Sequence, residues 1–258
     1  TTDASRALVD STYTAEEPLP QAPQQRILLE DFTGVRCTNC PRAQLVATRL
    51  AKDHPGRIVL VALHGNGFFN DPYPKSKYDF RVDAVDEILD NLGGGSLPVG
   101  ALNRVPEEGE RLINDSKWPG MVEAQLANSS PLSLRVFSSW DPDSRTVLLS
   151  MQGQFAEAVA GNLNYTFYIL ENGLVDIQKD GPDKIPDYVH DHVLRQVVTP
   201  ALGEPLLQNP EANTAFVREM RVDLEGDWIA ENCDLVGFVH LSGSNQQVLQ
   251  VAKTSLVN

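Results

Sequence analysis

Residues 26–50 constrain this chain more than any other stretch. An apolar run, Ile27–Leu29, leads through Glu30, Asp31 and Phe32 to a break at Thr33-Gly34. Cys37-Thr38-Asn39-Cys40 then opens a stretch with helical spacing. A buried strand feeding a Cys-x-x-Cys at the start of a helix is a redox-site geometry. The helix N-terminus carries partial positive charge and unpaired N–H groups, and both stabilise a thiolate. Cys37, as the more exposed of the pair, is therefore the expected nucleophile and Cys40 the resolving thiol.

The next residues extend the pattern. Pro41 is tolerated in a first helical turn. Ala43, Val46, Ala47 and Leu50 form one apolar helix face, and Asp53-His54-Pro55-Gly56 stops it. Ile58–Leu63 is a continuous apolar run suited to a strand buried on both faces. Strand, helix, strand favours a parallel pair with a crossover helix. His64-Gly65-Asn66-Gly67 ends that strand, and Phe68–Tyr78 reads as an ordered loop near the site. A second amphipathic stretch, Arg81–Leu92, stops at Gly93-Gly94-Gly95. Leu97-Pro98 comes next, then a short strand at Ala101–Arg104 and a helical segment around Met121–Leu126.

From Ser130 the texture changes to strand-like runs: Leu132–Phe137, Thr146–Phe155, Tyr165–Leu170, Leu174–Gln178, Ala215–Leu224, Leu235–Leu241 and Val248–Val251. Asn172-Gly173 between two of them predicts a β-hairpin, and Ser242–Asn245 a turn between the last two. Repeated short strands with turn signals predict a β-sandwich.

The net charge of −14 argues against nucleic acid and anionic lipid as partners. Three cysteines are too few for a disulfide scaffold, and Cys233 reads as a buried free thiol. No apolar run approaches the ~20 residues of a membrane span. Residues 1–25, rich in Thr, Ala, Glu, Pro and Gln, read as a flexible tether or irregular lead-in strand. A chain that begins at Thr1 fits a mature or trimmed protein.

These residues carry two resemblances. The first hundred residues resemble a thioredoxin-like fold. Cys37-x-x-Cys40 lies between strand and helix, and Asp31 stands six residues before Cys37, where thioredoxins carry a buried acid that moves protons. Leu97-Pro98 falls where thioredoxins have a cis-proline loop that pairs with a bound peptide. Thr38-Asn39 departs from the Gly-Pro of thioredoxin, and Thr33 and Arg36 replace its flanking tryptophans. More narrowly, L-L-E-D-F-T-G-V-R-C-T-N-C-P-R-A, L-P-V-G-A-L-N-R and Y-V-H-D-H-V-L-R (Tyr188–Arg195) resemble the outer membrane protein 28-like family, envelope proteins of Gram-negative bacteria that are usually lipoproteins. That resemblance implies a thioredoxin-like domain followed by a β-rich one; with the strand pattern from Ser130 onward, the expected organisation is a thioredoxin-like α/β domain at 26–128 and an all-β, Ig-like sandwich domain at 129–258.

The expected function is an extracytoplasmic thiol–disulfide oxidoreductase. Cys37 and Cys40 are its redox pair, with Asp31 as proton carrier and Leu97 and Pro98 as the substrate-binding loop. It needs no soluble cofactor and no metal. Its expected partners are protein thiols or disulfides and other envelope proteins, with membrane attachment only through an N-terminal lipid anchor preceding Thr1. The rival is a non-enzymatic surface lipoprotein, whose β domain binds a protein or glycan and whose cysteine pair is a staple. His64 is expected as a structural histidine. His190 and His192, with Asp187, present a metal option that solvated or turn-ordering polar residues outweigh. Asp141-Pro142-Asp143-Ser144 falls short of a calcium loop and reads as a turn. No G-x-S-x-G, Walker loop or His-Glu-x-x-His is present, so hydrolase and nucleotide readings have no support.

Overall fold

The computed structural model describes residues 7–19 and 21–257. The described chain is mostly β. Its first strand, β1 (Ala7–Thr14), lies in the lead-in and pairs antiparallel with a strand far along the chain. Composition hid it, because its side chains are largely exposed and it is held by the free backbone edge of that partner. Residues 1–6 of the expected tether lie outside the described residues.

The stretch after it matches apolar patterning closely. β2 (Ile27–Phe32) and β3 (Ile58–Leu63) are buried along their whole length and pair in parallel. α1 (Cys40–Asp53) crosses between them. α2 (Ala84–Asn91) precedes β4 (Val99–Leu102), which pairs antiparallel with the other edge of β2. α3 (Trp118–Leu126) closes the segment. Leu97-Pro98, just before β4, is a cis peptide.

Two long strands, β5 (Leu132–Asp141) and β6 (Thr146–Phe155), begin the second half. β7 (Asn162–Glu171) is followed by β8 (Leu174–Asp180), β9 (Asp183–His190), β10 (Val193–Val197) and β11 (Glu204–Gln208). β12 (Thr214–Asp223), β13 (Cys233–Leu241) and β14 (Val248–Ser255) complete the chain. One sheet runs β1-β12-β6-β5; a second runs β14-β13-β7-β10-β3-β2-β4, with β11 added to β7; β8 and β9 pair only with each other.

The large sheet crosses the boundary expected at 128/129. β10 sits between β3 and β7, parallel to one and antiparallel to the other. Alternation along its strands sorts the core into layers. Leu28, Phe32, Tyr168, Leu170, Val236 and Phe238 face α2. On the opposite face, Ile27 and Leu29 pack on α1 and α3. Phe167 and Ile169 on that same face pack on the four-stranded sheet, giving the sandwich-like half.

One turn differs from expectation. Asn172-Gly173 does not join a hairpin, since β7 pairs with β10, β11 and β13 instead of β8. Asn172 is tied sideways: its side-chain amide donates to the carbonyl of Asn232 and to Asp234 Oδ2, both at 3.0 Å. The Asn-Gly pair therefore marks where the chain leaves the large sheet, and the hairpin is β8–β9.

Candidate functional site

Cys37 and Cys40 are joined by a disulfide. Helix α1 begins at Cys40, with Asn39 as its N-cap residue and Pro41 in the first turn. Cys37 lies one turn earlier, and its carbonyl accepts from Cys40 N–H at 3.4 Å. Cys37, expected as the more exposed of the pair, is 2% exposed and Cys40 0%, so both are buried.

The cover is the β8–β9 hairpin. Lys179 N–H donates to Val35 O at 2.8 Å and Gly181 N–H to Thr38 O at 3.1 Å. The Gln178 amide donates to Gly34 O at 3.1 Å and to Cys37 O at 3.4 Å. Period-2 alternation turns Leu174, Asp176 and Gln178 of β8 inward, and all three are buried. From β9, the Tyr188 hydroxyl donates to Gln44 Oε1 on α1 at 2.6 Å. Asp176 Oδ2 accepts the N–H groups of Lys77 and Tyr78 at 2.8 and 2.9 Å, fastening the hairpin to the loop after β3.

Asp31 lies near the end of β2, buried, with Oδ1 lacking any hydrogen-bond partner. Burial, and then the nearby Asp115 carboxylate, push its pKa up to about 8. Asp115 is itself buried and bound by both terminal nitrogens of Arg42 on α1. Asp31 lines a cleft of about 70 Å³ with Gln44, Thr48, Tyr188, Asp191 and His192. That volume holds a few water molecules by the ~10–15 Å³ each requires.

Leu97 lines a different groove, with Phe32, Thr33, Phe68 and Phe69. Gln44 links the two: it borders the cleft of Asp31 and donates to Thr33 Oγ1 at 3.3 Å. Phe68 and Phe69 are exposed. Arg36 orders this loop by donating to the carbonyls of Asp71 and Pro72 at 2.7 and 2.8 Å, with its guanidinium over the rings of Phe68 and Tyr73.

The histidines settle differently. His64 is buried against Phe80, and His190 packs on Phe80 and Tyr188. Neither ring makes a well-formed hydrogen bond, and the backbone of Ala62 for His64 and of Asp176 for His190 favours the protonated form. Burial lowers His64 to about 3, helped by His190, and lowers His190 to about 4 against the pull of Asp176 and Asp191. His190 is thus a core residue rather than a solvated one, while Asp187 is exposed. Among the described residues, no three His, Cys, Asp or Glu side chains are placed to hold a metal. Sequence reasoning missed Tyr188 and Gln178 as residues of this site. Tyr188 lies on a polar strand interrupted by Pro186, so only the alternation in β8 could have shown an inward face.

The family described as outer membrane protein Omp28 matches residues 86–258, about two thirds of the chain. This chain belongs to the Omp28 family. Membership places it outside the cytoplasm, in the outer membrane or periplasm of a Gram-negative bacterium. The matched region contains the hairpin and β10 but begins after the cysteine pair. Among solved structures, HBP35 of Porphyromonas gingivalis shares the fold, with TM-score 0.74 and 19% identity over 91% of this chain and 76% of that one. A protein of Agrobacterium tumefaciens is similar at TM-score 0.53 and 12% identity, covering 93% and 95%. No curated protein matches the sequence. Among the described residues, no helix is long and apolar enough to cross a membrane.

Proposed function

We propose that this Omp28 family member exchanges disulfides with envelope proteins through Cys37–Cys40, carried on a thioredoxin-like unit at 26–128. The observation that carries the reading is the buried acid. Asp31, its Oδ1 unpartnered and its pKa raised to about 8 by burial, stands on the strand that feeds the disulfide, beside a cleft with room for water. The β2–α1–β3 parallel unit with β4 antiparallel supports the same reading.

In the oxidised protein, a partner thiolate attacks Cys37 Sγ and the Cys37–Cys40 bond breaks. Cys40 leaves as a thiolate and takes a proton by way of Asp31. The partner's second thiolate then attacks the partner sulfur of the mixed disulfide, forming the partner's disulfide and releasing Cys37 as a thiolate, which takes up the second proton from water. The partner dithiol has lost two electrons and two protons, and the pair has gained them. Leu97 and Pro98 would flank the bound segment, next to the groove of Phe68 and Phe69. No cofactor is required, because the dithiol is the redox group.

The test is exchange between the reduced protein and a fluorescent disulfide reporter. Transfer should occur at neutral pH and vanish in Cys37→Ser, while Cys40→Ser should trap a mixed disulfide. If the wild type reacts no faster than Cys37→Ser, the reading fails. One observation favours a second reading, a binding protein with a structural staple: the disulfide is almost wholly covered. On that reading the β half binds an envelope protein or glycan, and such binding would survive Cys37→Ser/Cys40→Ser.

A further inference from the structure

The hairpin is a separate two-stranded unit of the fold. It leaves and rejoins the large sheet at left-handed residues, Gly173 (φ 72°) and His192 (φ 59°), and its strands pair with no strand of either sheet. Its two stems clasp each other: Gly173 N–H donates to Asp191 Oδ1 at 2.8 Å, and His192 N–H to Asn172 Oδ1 at 2.9 Å. Those bonds lie at the base and do not depend on where the tip rests.

The tip meets the disulfide loop as a peptide would. Lys179 and Gly181, two residues apart, donate backbone N–H groups to carbonyls on either side of Cys37. The acceptors lie three residues apart in the turn that carries Cys37, so a second polypeptide could take the same two backbone hydrogen bonds without forming a sheet. The contact is incompletely satisfied: the Oε1 atom of Gln178, next to Lys179, is buried without a partner. Unpaired buried polar groups weaken docking.

We propose that the β8–β9 hairpin is an intramolecular pseudosubstrate lid over Cys37–Cys40, displaced by an extended polypeptide that donates its backbone N–H groups to Val35 and Thr38. The substrate class is therefore unfolded or loosely folded protein rather than compact protein. This deepens the exchange reading and rests on it for the chemistry after docking, though the lid itself does not require chemistry.

The test uses the full oxidised chain. Hydrogen exchange at the Lys179 and Gly181 amides should run at least ~100-fold faster than at β7 amides, as expected of a low-stability unit. Reduced, carboxymethylated α-lactalbumin, unfolded and unable to exchange disulfides, should raise it further, and native α-lactalbumin should not. Tyr188→Phe and Gln178→Ala should each speed reduction by dithiothreitol about tenfold, the effect of one lost hydrogen bond. Hairpin amides as protected as β7 in the wild type, or unchanged reduction in both variants, would overturn the lid. If the lid behaves as expected but the reduced protein does not exchange with the disulfide reporter, the lid stands and the exchange reading falls. Equal transfer by wild type and both variants removes the lid and leaves exchange.

Discussion

Arg104 and Glu30 form a buried two-pronged ion pair, with Nε donating to Oε2 at 2.8 Å and a terminal nitrogen to Oε1 at 2.7 Å. Both side chains are almost fully buried. Tyr168 of β7 adds its hydroxyl to Glu30 Oε1 at 3.1 Å, and Gln246 accepts from Arg104 at 3.2 Å. The pair therefore joins the cysteine-bearing half of the molecule to the β half. Removing one partner strands a buried charge, so Arg104→Met should cost about 3–5 kcal/mol. Arg104→Met with Glu30→Leu should recover much of it. Urea unfolding of the three proteins checks this; equal loss in single and double variants would contradict it.

The same network bears on the domain boundary. Residues 26–128 by themselves lose Tyr168, Gln246 and the β10 strand that covers the β3 edge. That fragment should be unfolded or aggregated on its own, as circular dichroism and gel filtration would show. A soluble, cooperatively melting fragment would contradict the shared sheet as a source of stability.

Asp31 gives a pH prediction with a definite sign. Its folded pKa, about 8, lies above the unfolded value of 3.8, so the folded state binds the extra proton between those values. Its contribution is therefore present at low pH and lost as pH rises toward 8. Asp31→Asn should stabilise the protein, by on the order of 2–4 kcal/mol at pH 8 and by almost nothing below pH 4. Thermal melts across pH 4–8 measure it. If Asp31 also carries the proton, the same variant should slow disulfide exchange near neutrality.

His64 and His190 act in the opposite direction. Their folded pKa values, about 3 and about 4, lie below the unfolded 6.5. The unfolded state then binds more protons, so stability falls as pH drops from 6.5 toward 4. The pair should contribute acid sensitivity on the order of 3 kcal/mol per histidine. His190→Phe should flatten the acid limb of stability against pH; an unchanged limb would contradict the assignment.

Gly34 supports the cysteine loop from behind. A Cβ there would lie 2.5 Å from the carbonyl oxygen of Phe69, a backbone atom with little room to yield. Gly34→Ala should cost about 1–3 kcal/mol and loosen the loop to which Gln178 bonds. Reduction by dithiothreitol should quicken; an unchanged melt and rate would contradict it.

Legibility in the sequence tracks where burial is two-sided. Ile27–Phe32 and Ile58–Leu63 are continuous apolar runs because both faces of the large sheet are covered, and Ala43, Ala47 and Leu50 mark the packed face of α1. Thr146–Phe155 is legible to its last residue through β-branched and apolar content. β9 is not: Pro186 and its charged neighbours resemble a loop, because one face of the hairpin is solvated. Nor could local pattern show that Asn172-Gly173 redirects the chain, since its bonds to Asn232, Asp234 and Asp191 come from distant sequence. The cysteine pair and Asp31 are visible by spacing. Their cover, Gln178 and Tyr188, depends on a fold-back of about 140 residues.

The most direct measurement is the reduction potential of Cys37–Cys40, from equilibration of the full chain against glutathione or dithiothreitol. A pair that exchanges disulfides should lie between about −120 and −270 mV, the range of pairs that turn over. A value below about −300 mV would make the bridge structural and contradict the proposed exchange.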